Sequence, residues 1–140
     1  MIIGIGCDIV DIRRIEKLVK RYQDRFLSRV FTKDEIKLAN NLKNYSYFAK
    51  RFAAKEAYGK ATGYGISEKT GFKDIEIFND KKGAPFFNQH PLIHKGIKAF
   101  ISISDEYPYT ISYVILTQSE DKKAEVYEES NIKNKLRNKN

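Results

Sequence analysis

Apolar residues run almost without a break through positions 2–10, IIGIGCDIV, interrupted only by two glycines and Asp8. This stretch predicts a buried strand, with Gly4 and Gly6 marking a close approach by another part of the backbone. The period then changes. From about Asp11 to Tyr22, the apolar positions Ile12, Ile15, Leu18 and Val19 recur at helical spacing. The opposite face carries Arg13, Arg14, Lys17, Lys20 and Arg21, and Arg25 and Arg29 follow. Thr32 with Glu35 three residues later is a capping-box pair, predicting a short helix near Lys33–Asn40. The strongest helix is Ser46–Thr62, with Phe48, Phe52 and Ala53 inward and Gly63 as its stop. Gly63 to Gly71 reads as a loop. Asp74–Phe78 and Ala84–Phe87 form a hairpin across NDKKG, and Pro91–Gly96 is a short helix or loop. Phe100–Ser104 and Tyr109–Thr117 form a second antiparallel pair joined by Asp105–Pro108. Strands interleaved with helices, with both hairpins late, predict an α+β fold.

The pattern fades after residue 118. We expect one domain over 1–118 and a charged extension over 119–140, frayed or partly helical, with few apolar anchors. Nine Phe and nine Tyr among 140 residues, 41% of them hydrophobic, suffice for a core without disulfides or a structural metal. The net charge of +8 resides mostly in the domain, because the extension holds six basic and five acidic residues. Such a surface attracts anions: nucleic acid, a phosphorylated cofactor, an acidic protein or a lipid headgroup. Cys7 has no partner for a bridge, Asp8 and Asp11 interrupt the N-terminal run too early for a signal peptide, and no apolar run reaches the roughly 20 residues of a membrane span. These features predict a cytoplasmic protein that avoids membranes.

Two groups of residues invite chemistry. Asp8, at the end of an apolar strand, reads either as the N-cap of the next helix or as an oxygen ligand for Mg²⁺. In RFAAKEAYGKA, residues 51–61, helical spacing puts Phe52, Glu56 and Lys60 on one stripe, with Arg51 and Lys55 on a stripe beside it. Glu56 and Lys60 read as a surface ion pair, or as part of a site for a metal and a polyphosphate. Cys7 reads as a buried inert thiol and His90 and His94 as surface histidines. Gly4-x-Gly6 lacks the third glycine of a dinucleotide fingerprint.

The opening GIGCDIVDIRRIE and the segment RFAAKEAYGKATGYGI together resemble the two signatures of holo-acyl-carrier-protein synthases, the short 4′-phosphopantetheinyl transferases. FKDIEI, GAPFF and SIS follow in that family's order, so the resemblance covers about residues 1–117. It implies the phosphopantetheinyl transferase fold, a small and mostly antiparallel sheet packed with a long helix, and assembly as a homotrimer whose active sites lie between subunits. It implies Mg²⁺-dependent transfer of the 4′-phosphopantetheine of coenzyme A to a serine of acyl carrier protein, in support of fatty acid biosynthesis. Asp8 and Glu56 match the metal ligands, and Lys60 matches a contact to the transferred phosphate. Arg51 and Lys55 match holders of the nucleotide phosphates, Gly63 and Gly65 the loop beside the cofactor, and Arg14, Arg21 and Arg25 the docking surface for the carrier protein. Glu35 and Glu56 are the candidates for drawing off the serine proton, Glu35 by orienting a water. One position departs from the pattern. Where the family commonly reads S-x-S-H, this chain has Ser102, Ile103, Ser104 and Asp105.

That departure keeps a second reading open, a silent family member serving as a binding scaffold for coenzyme A and carrier protein. A third is a nucleic-acid-binding module, drawn from the nine basic residues between Ile12 and Lys37. Acidic residues interrupt that stripe and no nucleic-acid motif accompanies it, so nucleic acid is not the expected partner.

Overall fold

The computed structural model describes residues 1–67 and 70–119. Among these residues, five strands and four helices follow the order β1 (Ile2–Asp11), α1 (Ile12–Tyr22), α2 (Asp24–Val30), α3 (Lys33–Leu38), α4 (Tyr45–Thr62), β2 (Glu76–Asn79), β3 (Pro85–Gln89), β4 (Ile97–Glu106) and β5 (Tyr109–Gln118). Short 3₁₀ turns occupy Phe72–Asp74 and Ile93–Lys95. The extension expected at 119–140 lies, past Ser119, outside the described residues.

β1, β5 and β4 form an antiparallel sheet in that order, and β2 pairs with β3 in a separate hairpin. The sheet and α4 form the scaffold. Gly4 and Gly6 let α4 lie directly on β1: a Cβ on Gly4 would strike the carbonyl oxygen of Ala61, and one on Gly6 that of Ala57. Helix-side alanines complete the fit, with Ala53, Ala54 and Ala57 fully buried. α4 begins at Asn44, whose side chain accepts from Tyr47 N at 3.3 Å, and ends at Gly63 in the left-handed region. The hydrophobic core splits along its length. Ile15, Val19, Leu27, Phe31 and Phe48 pack around its N-terminal half, and Tyr58, Ile75, Ile77, Val114 and Leu116 around its C-terminal half.

Three expectations change. β1 is buried on one face only: Gly6 and Val10 face inward, while Ile3, Ile5 and Ile9 on the other side are 42%, 63% and 63% exposed. Cys7 belongs to the outer face, half-buried beside Tyr113, and is not an enclosed thiol. The first basic helix ends at Tyr22 as expected; Gln23 takes a positive φ of 46° and the chain restarts as α2, a further helix that carries Arg25 and Arg29. His90 is a core residue at 4% exposure, its Nδ1 lying 3.1 Å from the Tyr58 hydroxyl, which also accepts from Leu92 N. Two apolar neighbours, Phe87 and Tyr58, close around its ring. The capping box forms as expected: Thr32 Oγ1 accepts from Glu35 N, and Glu35 Oε1 from Thr32 N.

Candidate active site

The helix following β1 is capped by Asp11, whose Oδ1 accepts from Arg13 N at 2.9 Å. Asp8 therefore has no capping duty. It points from the inner face of β1 toward α4, where its Oδ1 lies 3.0 Å from Lys60 Nζ. Glu56, one helical turn before Lys60, is half-buried in the same place. Its carboxyl holds a proton more tightly than an ordinary glutamate, first because burial disfavours its charge and then because Asp8 repels it. Lys60 and Arg14 oppose that shift. Two carboxylates that repel one another, from elements 48 residues apart in sequence, share one half-open site with two cations.

This donor set fits Mg²⁺. That ion is bound through one or two carboxylates and completes its shell with water and substrate phosphate. The mutual repulsion felt by Glu56 is what a divalent cation between the two groups would relieve. No cluster of three His, Cys, Asp or Glu occurs among the described residues, so a closed zinc-type site is not present there.

Glu35 and Lys55 are elsewhere. Both are fully buried and paired with each other at 2.5 Å. Glu35 also accepts from Thr32 N and Ile77 N, while Lys55 donates to Val30 O at 2.8 Å. Every strong contact of the pair is thus internal, tying α3, α4 and β2 together. Burial lowers the Lys55 pKa and Glu35 opposes that shift. Neither the proton-relay role expected of Glu35 nor the phosphate role expected of Lys55 fits groups sealed from solvent. The sequence reading placed Lys55 beside Arg51 on a ligand stripe; the extra turn of burial comes from α3 and β2, which no local spacing reveals.

Arg51 occupies another side of α4. At 100° per residue it sits about 180° around the helix from Lys60. Its guanidinium lies 3.6 Å over the Tyr47 ring and donates to Asn79 Oδ1 at 2.6 Å. Gly63 and Gly65 lie just beyond Lys60 with φ of 81° and 69°, and Gly65 N donates to Gly59 O, folding the loop back on the helix end. A Cβ on Gly59 would meet Gly65 backbone at 2.8 Å, a requirement that the sequence reading missed.

A groove of about 960 Å³ runs between α1 and α2. Arg14, Arg25, Arg29 and Lys73 line it, over an apolar floor that includes Leu18, Phe26, Phe52 and Phe72. Of the three expected docking residues, Arg14 and Arg25 are in the groove, whereas Arg21 stacks on Tyr22 beside it. Arg29, read only as part of the basic stretch, and Lys73 were not among the expected docking residues. Arg29 was legible as the residue one turn after Arg25; Lys73 arrives from a distant 3₁₀ turn. Arg14 connects the groove to the carboxylates, since its charge reaches Glu56 and its guanidinium lies over Phe52.

Residues 4–113 match the profile of the 4′-phosphopantetheinyl transferase superfamily. The chain is 46% identical over 125 residues to the holo-acyl-carrier-protein synthase of Pelagibacter ubique, covering 82% of this chain and 96% of that protein. Among solved structures it is similar to the holo-acyl-carrier-protein synthase of Neisseria meningitidis, with a TM-score of 0.76 and 38% identity over 84% of this chain and all of that one. A second neighbour is the synthase of Bacillus anthracis in complex with CoA (3′,5′-ADP), with a TM-score of 0.75 and 36% identity over 85% of this chain and 99% of that one.

Proposed function

Because the chain belongs to the 4′-phosphopantetheinyl transferase superfamily, we propose that Asp8, Glu56 and Lys60 form the centre at which its reaction occurs. The enzyme transfers the phosphopantetheine of coenzyme A to apo-acyl carrier protein, releasing adenosine 3′,5′-bisphosphate. The observation that carries the assignment of the centre is the Asp8–Lys60 contact at 3.0 Å with Glu56 one turn away on the same helix.

Asp8 and Glu56 would hold Mg²⁺. When bound, that ion supplies positive charge to the diphosphate, offsetting the charge that develops on the departing nucleotide. Lys60, more than half exposed, reaches the phosphoryl group to be transferred. The serine oxygen of the carrier protein forms the new P–O bond as the bond to adenosine bisphosphate breaks. With Glu35 sealed away, Glu56 is the group left to draw off the serine proton. The groove beside Arg14 would seat the acidic carrier protein, with Arg25, Arg29 and Lys73 meeting its charges and Phe26 and Phe72 its apolar residues.

Coenzyme A carries its negative charge in two places, the diphosphate and the ribose 3′-phosphate. The first goes to Lys60, and the second to the cavity that contains Arg51. Those two residues point to opposite sides of one helix, so a single cofactor reaches both only by spanning two copies of the chain. The outer face of the sheet supports such assembly. Ile3, Ile5, Ile9, Phe100, Tyr113 and Ile115 there are 36–63% exposed, an apolar patch suited to burial between subunits of a trimer. Fatty acid biosynthesis in the cytoplasm is the setting we infer; no described helix is long and apolar enough to cross a membrane. The nucleic-acid reading is not favoured, since the basic residues line a groove floored by phenylalanine and leucine.

The decisive assay is mass spectrometry of apo-carrier protein incubated with the full chain, coenzyme A and Mg²⁺. The expected result is a gain of one phosphopantetheinyl group, abolished by chelator. Coenzyme A binding without any gain would instead mark a scaffold.

A further inference from the structure

The cavity on the Arg51 side of α4, about 420 Å³, is lined by Asn44, Ser46, Tyr47, Lys50, Arg51 and Asn79. Arg51 is only 5% exposed, and its Nε has no hydrogen-bond partner. Among the described residues no carboxylate forms a salt bridge with it. A guanidinium that is stacked, pinned to Asn79 and left with a spare donor is a charge prepared for an anion. Lys50 stands at the same cavity as a second cation. It is not free: Asp105, from the end of β4, lies 3.2 Å from its Nζ. Asp105 occupies the inner face of the sheet, opposite Thr110 of β5, which turns its carboxylate toward the N-terminal half of α4.

We propose that Asp105 sets how strongly this enzyme prefers a cofactor bearing the ribose 3′-phosphate, by holding Lys50 in a resident ion pair. The inference rests on the reading that the Arg51 cavity receives that phosphate. A phosphate entering the cavity must share Lys50 with Asp105 and also meets the carboxylate's negative charge. Arg51 then provides the bulk of the attraction, and Asp105 moderates it. The pair is one-third to two-fifths exposed, so water and salt weaken the effect without removing it.

The test compares kcat/KM for coenzyme A with kcat/KM for 3′-dephospho-coenzyme A, using the full chain and apo-carrier protein at low ionic strength. Asp105→Asn should raise the ratio about 1.4- to 5-fold, the range that corresponds to exposed ion pairs, and the gain should shrink in high salt. Lys50→Gln should lower the ratio. A mere loss of structure would depress both substrates and leave the ratio alone. If Asp105→Asn leaves the ratio unchanged or lowers it, the proposal is overturned. Arg51→Gln separates this failure from that of the underlying reading. It should bring the ratio close to one; an unchanged ratio in both Arg51→Gln and Lys50→Gln would show that the phosphate binds elsewhere. Should Arg51→Gln not fold, Lys50→Gln carries the same comparison.

Discussion

Replacing Glu35 by glutamine separates a structural acid from a catalytic one. In the native fold its two oxygens accept from Thr32 N at 2.9 Å, Lys55 Nζ at 2.5 Å and Ile77 N at 3.1 Å, and the residue is fully buried. Glutamine keeps the volume and one acceptor oxygen, but its amide presents N–H groups where an acceptor is needed. It also strips the paired counter-charge from Lys55, which has no solvent exposure and keeps the Val30 carbonyl as a hydrogen-bond acceptor. Removing one member of a buried ion pair costs about 3–5 kcal/mol, since the remaining charge stays desolvated. Domains hold about 5–15 kcal/mol in total, so this is a large share. For a chain of this size, with roughly 3–5 °C lost per kcal/mol, the melting temperature should fall by about 10–20 °C. Thermal denaturation followed by circular dichroism gives the shift, and transfer is then assayed well below the new midpoint. We expect the folded variant to retain kcat within a few-fold. A melting temperature within about 3 °C of the parent together with a kcat loss of a hundred-fold would refute the argument and make Glu35 the proton acceptor.

The other expectations are simpler. Asp8→Ala and Glu56→Ala should each abolish transfer in the mass-spectrometric assay while leaving the circular dichroism spectrum intact, because both groups border solvent at the end of the packed region. Arg14→Glu and Arg25→Glu should raise KM for carrier protein about ten-fold or more at low salt, and Arg21→Glu much less, since only the first two line the groove. Stability should decline as pH falls below about 6.5. Burial lowers the His90 pKa, so the unfolded chain takes up a proton before the folded one does, and the loss grows until the folded pKa is passed. Denaturant titrations at pH 7.5 and 5.5 should show this loss, and His90→Gln should flatten the His90 part of it.

How much of this was legible in the chain follows the range of the forces involved. α4 was readable because apolar spacing and the helix stop are local: Phe48, Phe52, Ala53 and Gly63 all lie within one window, whereas its N-cap, Asn44, was not read. Gly4 and Gly6 announced close approach, though not that Ala57 and Ala61 would be the partners. Burial was harder. The run at residues 2–10 looks wholly internal because its outward isoleucines are as apolar as its inward positions, and the sheet leaves them exposed. Lys55 and Glu35 looked available because charged residues seldom lose all contact with water. Their neutralising partners come from 20 residues away, beyond any helical period.

Asp8 shows the same limit from the other direction. Composition offered it two duties, and the sequence around it allowed either. The presence of Asp11 three residues later settled the matter, because one helix start needs one such cap and Asp11 is the residue in position to bond Arg13 N. The carboxylate thus released is carried by β1 to α4, the helix that bears Glu56 and Lys60. Any change that lifts α4 from β1 must therefore draw Asp8 away from Glu56 and Lys60, even without touching one of them. Gly6→Ala does that, forcing a methyl group against the Ala57 carbonyl. Overpacking of this kind costs about 1–3 kcal/mol, an amount a folded domain survives. Loss of transfer in a variant that still folds would be the mark of a site held together by the fit of one helix on one strand.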